Sequence, residues 1–329
     1  MNNTLLMPLA LLICSTTATA SIEQGRAEFE KGNLRLAQSL LLQQQTSDYH
    51  KPLLLARIAL KSDQDEVALQ HIEDALAQHP NNPELYFAHV EVIAKMAEQA
   101  SIFSVSGYIK KLKASFIKAV ELAPDNTEYR TALIKFYINA PSMFGGDEQA
   151  ALTHINELEK IAPFEAFLTR LHLLGKTGEQ DEFARLIAIG QKRFAAEPRF
   201  FYTLGQVYHE RDQSEEALNQ FRKAAAMKTA TTLQEKARNH SLVLIGVLSK
   251  QLGKHHDEGE AALRQYLDEA SHHYDMPDKS QVKFRLAEIA IDRSKTAVAK
   301  QLLNEVITET LSERLKKKAR SALKKLASA

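Results

Sequence analysis

Cysteine is nearly absent from this chain: its 329 residues include one, Cys14. No intrachain disulfide can form, and a thiol nucleophile or a cysteine-based metal site is excluded downstream of that position. A chain of this kind must be held by its core alone, and apolar residues, at 44%, supply enough of one. Glycine and proline are scarce as well, at 12 and 9 residues, which excludes a collagen-like or disordered chain. No stretch beyond the N-terminal segment approaches 18 apolar residues, so no membrane-spanning helix is expected in the mature chain. A strong net charge is missing too. At +1 the molecule has no field to gather a polyanion, and nucleic acid is not an expected partner.

What charge there is lies unevenly. From Leu311 to Ala329 there are seven basic residues, Arg314, Lys316, Lys317, Lys318, Arg320, Lys324 and Lys325, against one acid, Glu313. That stretch carries +6, which leaves about −5 for the remainder. At the other end, Leu5–Ile13 is apolar apart from Pro8, and small residues follow up to Ala18-Thr19-Ala20. A short apolar run ending in an A-x-A pattern reads as an export signal. Residues 1–20 are expected to be removed after Ala20. Residues 21–329 are expected to form one domain in the periplasm or another extracytoplasmic space. Ile13 is too bulky for the position before a lipid-bearing Cys14.

The rest of the sequence has a beat. In the stretch from Pro198, the small residues Gly205, Ala217 and Ala224 alternate with the large ones Phe201, Leu204, Tyr208 and Phe221. Within each half the spacing is 3, 4 or 7, so each half is an amphipathic helix, with Glu210–Ser214 as the turn. Small residues let the two helices approach closely, and large ones fill the space beside them. This unit resembles the tetratricopeptide repeat, a 34-residue helix pair. The family's first-helix positions hold Phe201, Leu204, Gly205 and Tyr208, and its second-helix positions hold Ala217, Phe221 and Ala224.

Ala56, Ala59, Ala68, Ile72, Ala75 and Pro80 mark a second good copy, and weaker ones cover nearly all of residues 21–329. The resemblance implies an all-α, right-handed superhelical solenoid of about eight antiparallel helix pairs. A capping helix at about 311–326 would cover the end of the core with Leu311, Leu315, Ala319, Ala322 and Leu326. Two copies are lengthened. One carries extra residues near Glu98–Gly107. The other carries them in Ala140–Asp147, where Pro141 stops a helix, Gly145 and Gly146 permit positive φ, and Asp147 is an N-cap. A long unit followed by such a loop resembles a group of exported bacterial tetratricopeptide proteins.

Motifs for chemistry are weak by comparison. Ser115–Lys118 fits S-x-x-K and Lys176–Gly178 fits K-T-G, but these fall on helix and turn positions of the repeat, and that chemistry needs a strand. His255-His256-Asp257, His272-His273, His240 and Asp275 could be grouped as metal ligands. Neighbouring histidines point to different sides of a helix, however, and these segments read as polar, solvated turns. No cofactor, metal or catalytic residue is expected. In the family the first helix of each pair lines a concave face, which implies His50, Arg57, Phe87, Glu91, Lys135, Arg199, Tyr202, Gln206 and His209 as partner-binding residues. Tyr202 and His209 are expected to be exposed. The loop residues Phe144, Gly145, Gly146 and Asp147 are a further candidate. The resulting expectation is an exported adaptor, not an enzyme, that holds a protein or peptide partner in the cell envelope. The alternative is a periplasmic receptor for a small ligand or metal held within the solenoid.

Overall fold

Helix boundaries in this chain are set by a few residues with specific backbone or capping roles. The turns after six first helices each contain a residue at positive φ: Gly32, Asp63, Gly178, Asp212, Gly253 and Ser294. Glycine and aspartate adopt that conformation with least strain. Pro83, Pro163 and Pro198 open their helices where no N–H is needed. The side-chain oxygens of Asn82 and Asn126 accept from first-turn N–H groups.

The computed structural model describes residues 22–101, 103–271 and 274–328. The export segment expected over 1–20 lies outside them. Among the described residues there is no strand. Helices follow one another in pairs: α1 (22–30) with α2 (Leu34–Leu42), α3 (His50–Lys61) with α4 (Asp65–Gln78), and α5 (Pro83–Ala97) with α6 (Val105–Leu122). Next come α7 (Thr127–Asn139) with α8 (Glu148–Ile161), α9 (Pro163–Thr177) with α10 (Gln180–Arg193), and α11 (Pro198–Glu210) with α12 (Ser214–Ala225). The last pairs are α13 (Thr232–Leu252) with α14 (His256–Glu269) and α15 (Lys279–Asp292) with α16 (Thr296–Glu309). The unpaired α17 (Glu313–Ser328) follows. No helix among the described residues is long and apolar enough to cross a membrane.

The helices pack as two compact units. The first holds the described residues up to Ser115 together with Tyr274 and Asp275. The second holds Phe116–Ser271 and the residues from Met276 onward. The division falls inside α6. In the first unit, Leu53, Ala56, Ala68, Ile72 and Ala75 are buried between α3 and α4, with Leu85 and Ala88 of α5 against them. In the second unit, α7, α9, α11, α13 and α15 pack in succession, and each is backed by its own second helix. The repeat's small residues make this possible. A Cβ on Gly205 would lie 2.6 Å from the Phe221 ring, and one on Gly246 would lie 2.4 Å from Leu263. Each glycine is thus a socket for a bulky side chain of the partner helix.

Several expectations need adjusting. The extra length near Glu98–Gly107 is only partly a loop: α6 begins at Val105 and extends for 18 residues. The capping helix begins at Glu313, so Leu311 lies in the turn before it. Leu315 and Ala319 of that helix are buried, as the cap requires. In the Ala140–Asp147 loop, Gly145 has φ +95° and Asp147 caps α8 through the Ala150 N–H. Gly146 is not in the left-handed region. Its role is close approach, since a Cβ there would sit 1.8 Å from the Ala140 carbonyl oxygen. The exposed apolar side chain of this loop is Met143, at 81%, whereas Phe144 is half-buried.

Candidate partner-binding faces

In the second unit the first helices carry a row of polar side chains. Lys135 comes from α7, Glu165 and His172 from α9, and Arg199, Tyr202, Gln206, His209 and Glu210 from α11. His172 is held in place: its Nε2 lies 2.9 Å from a Glu210 carboxylate oxygen and 3.3 Å from Asn139 Oδ1. Burial alone would raise the Glu210 carboxyl pKa. The hydrogen bond to His172 and the charges of His172, Lys176 and Lys135 outweigh burial and hold it below the usual carboxylate range. Arg199 is fixed from both sides, donating to Glu165 and, at 3.1 Å, to Glu197, with its guanidinium 4.6 Å from the Phe164 ring centroid.

Lys135 differs from these. Its side chain is exposed, and it forms no ion pair with a described residue. Desolvation by the surrounding helices lowers its ammonium pKa, while the charges of Glu210 and Glu165 oppose that shift. His209 is half-buried rather than exposed, and its Nδ1 is buried with no hydrogen-bond partner. Buried polar atoms are rarely left so.

Tyr202 also departs from expectation. It is half-buried, with its ring 6.1 Å from Phe221 and 5.8 Å from His240, and its hydroxyl accepts from Gln206 at 3.0 Å. Burial pushes its phenol up to about 12. Tyr202 therefore belongs partly to the core, and Gln206 is occupied by it.

In the first unit the candidates His50, Arg57, Phe87 and Glu91 meet a different situation. Arg57 on α3 donates from Nε to Glu91 on α5 at 3.3 Å, and lies 3.9 Å from Glu84. Its side chain is 12% exposed. Burial works against its charge, but Glu91, the Tyr274 phenol and Glu84 outweigh that and hold its pKa above the ordinary value. His50 pairs with Asp48 at 2.7 Å and stacks on Tyr49, whose hydroxyl donates to Glu84 at 3.2 Å. Phe87 is half-buried and is not exposed to a partner by its full ring.

Tyr274 lies in a segment whose polar composition marks a solvated turn, yet Tyr274 is half-buried and Met276 is buried. The histidines 272 and 273, whose grouping as metal ligands the sequence disfavours, lie outside the described residues. His255, also in that grouping, stands at φ +58° ahead of α14. The Tyr274 hydroxyl donates to Glu91 at 3.1 Å and accepts from Arg57 at 3.1 Å, and the guanidinium lies 4.0 Å from the ring centroid. Burial and the Glu91 carboxylate push the phenol well above its ordinary range. A cavity of about 360 Å³ adjoins this cluster.

The buried S-x-x-K serine has a structural partner: Ser115 Oγ lies 2.7 Å from His89 Nδ1. Gly178 of K-T-G is the left-handed cap of α9. Neither position is set up for acyl transfer.

The helix arrangement has solved counterparts. A tetratricopeptide repeat protein from Parabacteroides merdae ATCC 43184 matches 83% of this chain and 99% of its own, with TM-score 0.51 and 15% identity. A thermophilic tetratricopeptide protein from Thermus thermophilus matches 68% of this chain and 98% of its own, with TM-score 0.45 and 16% identity. No family model matches the chain, and no curated protein matches it. At such identities a likeness speaks for the fold alone, and only the first of the two is near enough to support it. With helix pairs following one another among the described residues, glycine sockets at their crossings and that counterpart over most of its length, the chain folds as a tetratricopeptide-type helical solenoid.

Proposed function

We propose that this chain is an exported adaptor that holds a protein or peptide partner in the cell envelope against the first-helix face of its second unit. One observation carries the reading: that face presents polar groups which the chain itself leaves unsatisfied. Lys135 has no ion-pair partner among the described residues, and His209 Nδ1 is buried with no hydrogen bond. A partner that supplies an acceptor to the exposed Lys135 would give its ammonium the ion pair that the described residues do not. Such work needs shape and placed charges and no reactive group. The A-x-A pattern at Ala18–Ala20 supports export.

The test is chemical crosslinking capture from the envelope fraction with wild type and a Lys135→Ala, His209→Ala double variant. The expected result is loss of the captured partner with helix content by circular dichroism unchanged. Recovery of the same partners by the variant would overturn the assignment of this face.

A further inference from the structure

Seven of the 16 residues of α17 are basic and one is acidic. Its apolar side is spent on the core: Leu315 and Ala319 are buried, with Ala322, Leu323 and Leu326 packed beside them. On the opposite side Lys317, Arg320 and Lys324 recur at spacings of three and four, flanked by Arg314 and Lys318, and all five are exposed. A solvated cap needs a polar outer face, but not one of a single sign. Residues three and four apart are neighbours on a helix, so Arg314 with Lys317 and Lys318, and Arg320 with Lys317 and Lys324, set like charges side by side, and each such pair opposes the helix. Neighbouring helices mix their signs instead: α14 sets Glu260 one turn before Arg264, and α15 sets Arg285 beside Glu288.

The acids nearest to α17 are engaged. Glu313 pairs with Lys316, while Glu305 and Glu309 of the adjacent α16 both pair with Lys283 of α15. Lys317, Lys318 and Arg320 form no ion pair with a described residue. The net charge of +1 hides this feature. At about 0.1 M salt a charge is felt over only about 10 Å, so a surface meets the charge of α17 and not the total. The stretch Leu311–Ala329 carries +6 against about −5 for the remainder, so an anionic plane attracts this helix and repels the rest. The run from Arg314 to Lys325 contains no aromatic or amide side chain, and five of its seven cations are lysines. Protein interfaces are enriched in aromatics and depleted in lysine, so the composition fits a diffuse anionic surface better than a folded acidic protein.

We propose that α17 is a peripheral membrane contact that rests its Lys/Arg face on the headgroups of an anionic lipid bilayer. With its apolar side committed to the core, the helix adheres by charge and does not insert. This goes beyond the adaptor reading and does not depend on it.

The test uses residues 21–329, which contain every described residue, and co-sedimentation with vesicles of phosphatidylcholine alone or with about a third phosphatidylglycerol. The chain is expected to bind the anionic vesicles and not the neutral ones. It should be released as salt rises from about 0.1 M to about 1 M, where screening shortens to about 3 Å. The variant Lys317→Gln, Lys318→Gln, Arg320→Gln should partition about a hundredfold more weakly, at about fivefold per lost charge. A control variant, Arg185→Gln, Lys192→Gln, Lys228→Gln, removes the same charge from other exposed positions without a described ion pair, and should bind as wild type does. Lys317→Arg with Lys318→Arg should also retain binding. Helix content by circular dichroism confirms that each variant is folded, and should the first one lose it, Lys317→Gln alone is read for a loss of about fivefold. Equal binding to both kinds of vesicle, or equal losses in the α17 and control variants, would overturn the proposal. So would absence of vesicle binding together with saturable binding of labelled polyglutamate, which would assign the face to an acidic protein. None of these outcomes depends on the capture experiment with Lys135 and His209, so failure of either reading can be told from failure of the other.

Discussion

The two units place charged side chains at corresponding positions of the repeat and treat them differently. In the first unit Arg57 is matched on every side, by Glu91, Glu84 and the Tyr274 hydroxyl. In the second unit Lys135 reaches into a row of acids without pairing to any described residue. The repeat therefore determines where a side chain stands and leaves open whether the chain satisfies it. Satisfied positions hold the fold together, whereas unsatisfied ones are available to another molecule.

The comparison breaks most severely if its scaffold is removed. Phe221 is fully buried and fills the socket left by Gly205. Phe221→Ala should cost about 3–5 kcal/mol, measured by urea denaturation, and the polar row on α11 should lose its order with it. A cost near zero would show that the glycine socket does not set the helix spacing.

Arg57→Ala is the next test in size. It removes the Arg57 guanidinium from the partly buried Glu91 carboxylate and from the Tyr274 ring, for an expected loss of about 1–3 kcal/mol. The same substitution at Lys135 should change stability by less than about 0.5 kcal/mol, because its exposed ammonium forms no ion pair with a described residue and only adds to the charges around Glu210. Equal costs for the two would erase the distinction between a closed face and an open one.

Between these lies Asp147. Its side chain accepts from Ala150 N–H at 3.0 Å to start α8, so Asp147→Ala should cost about 1 kcal/mol in a thermal or urea melt.

Acid should act on the closed side through His89, which is 8% exposed. Burial lowers its imidazole pKa below the ordinary 6.5, with Glu73 opposing and Lys111 adding to the shift. The unfolded chain therefore takes up this proton at higher pH than the folded one does. Stability from this group is full above about 6.5 and is lost as pH falls through the folded value. His89→Gln should flatten the fall in urea midpoint between neutral and mildly acidic pH. An unchanged slope would assign the acid sensitivity to other groups.

The helix pairs were legible in the sequence because their cause is local and steric. Gly205, Ala217, Phe221 and Ala224 recur at spacings that allow one packing, and the structure places all four in that core. Candidate faces were legible as positions. Arg57 and Glu91 were named from the repeat and do meet. Tyr274 was not legible, because it lies 183 residues from Glu91 in sequence and sits in a turn that follows no period. Tyr202 was misread for a related reason. Its repeat position faces outward, but Phe221 and His240 close over its ring, and those contacts depend on neighbouring helices rather than on spacing within one. The extra residues near Glu98 were placed correctly in the chain, yet their division between turn and helix depended on packing.

The glycine sockets have a consequence for how such a chain can change over generations. Gly205 admits Phe221 and Gly246 admits Leu263 at separations that no added atom would survive. Inserting or deleting one residue inside a helix would rotate every later knob out of its hole. Added length therefore fits as a whole helix pair, as residues in a turn or at the end of a helix beyond its last knob. Ala140–Asp147 is a turn of the second kind, and the longer α6 and α13 are helices of the third.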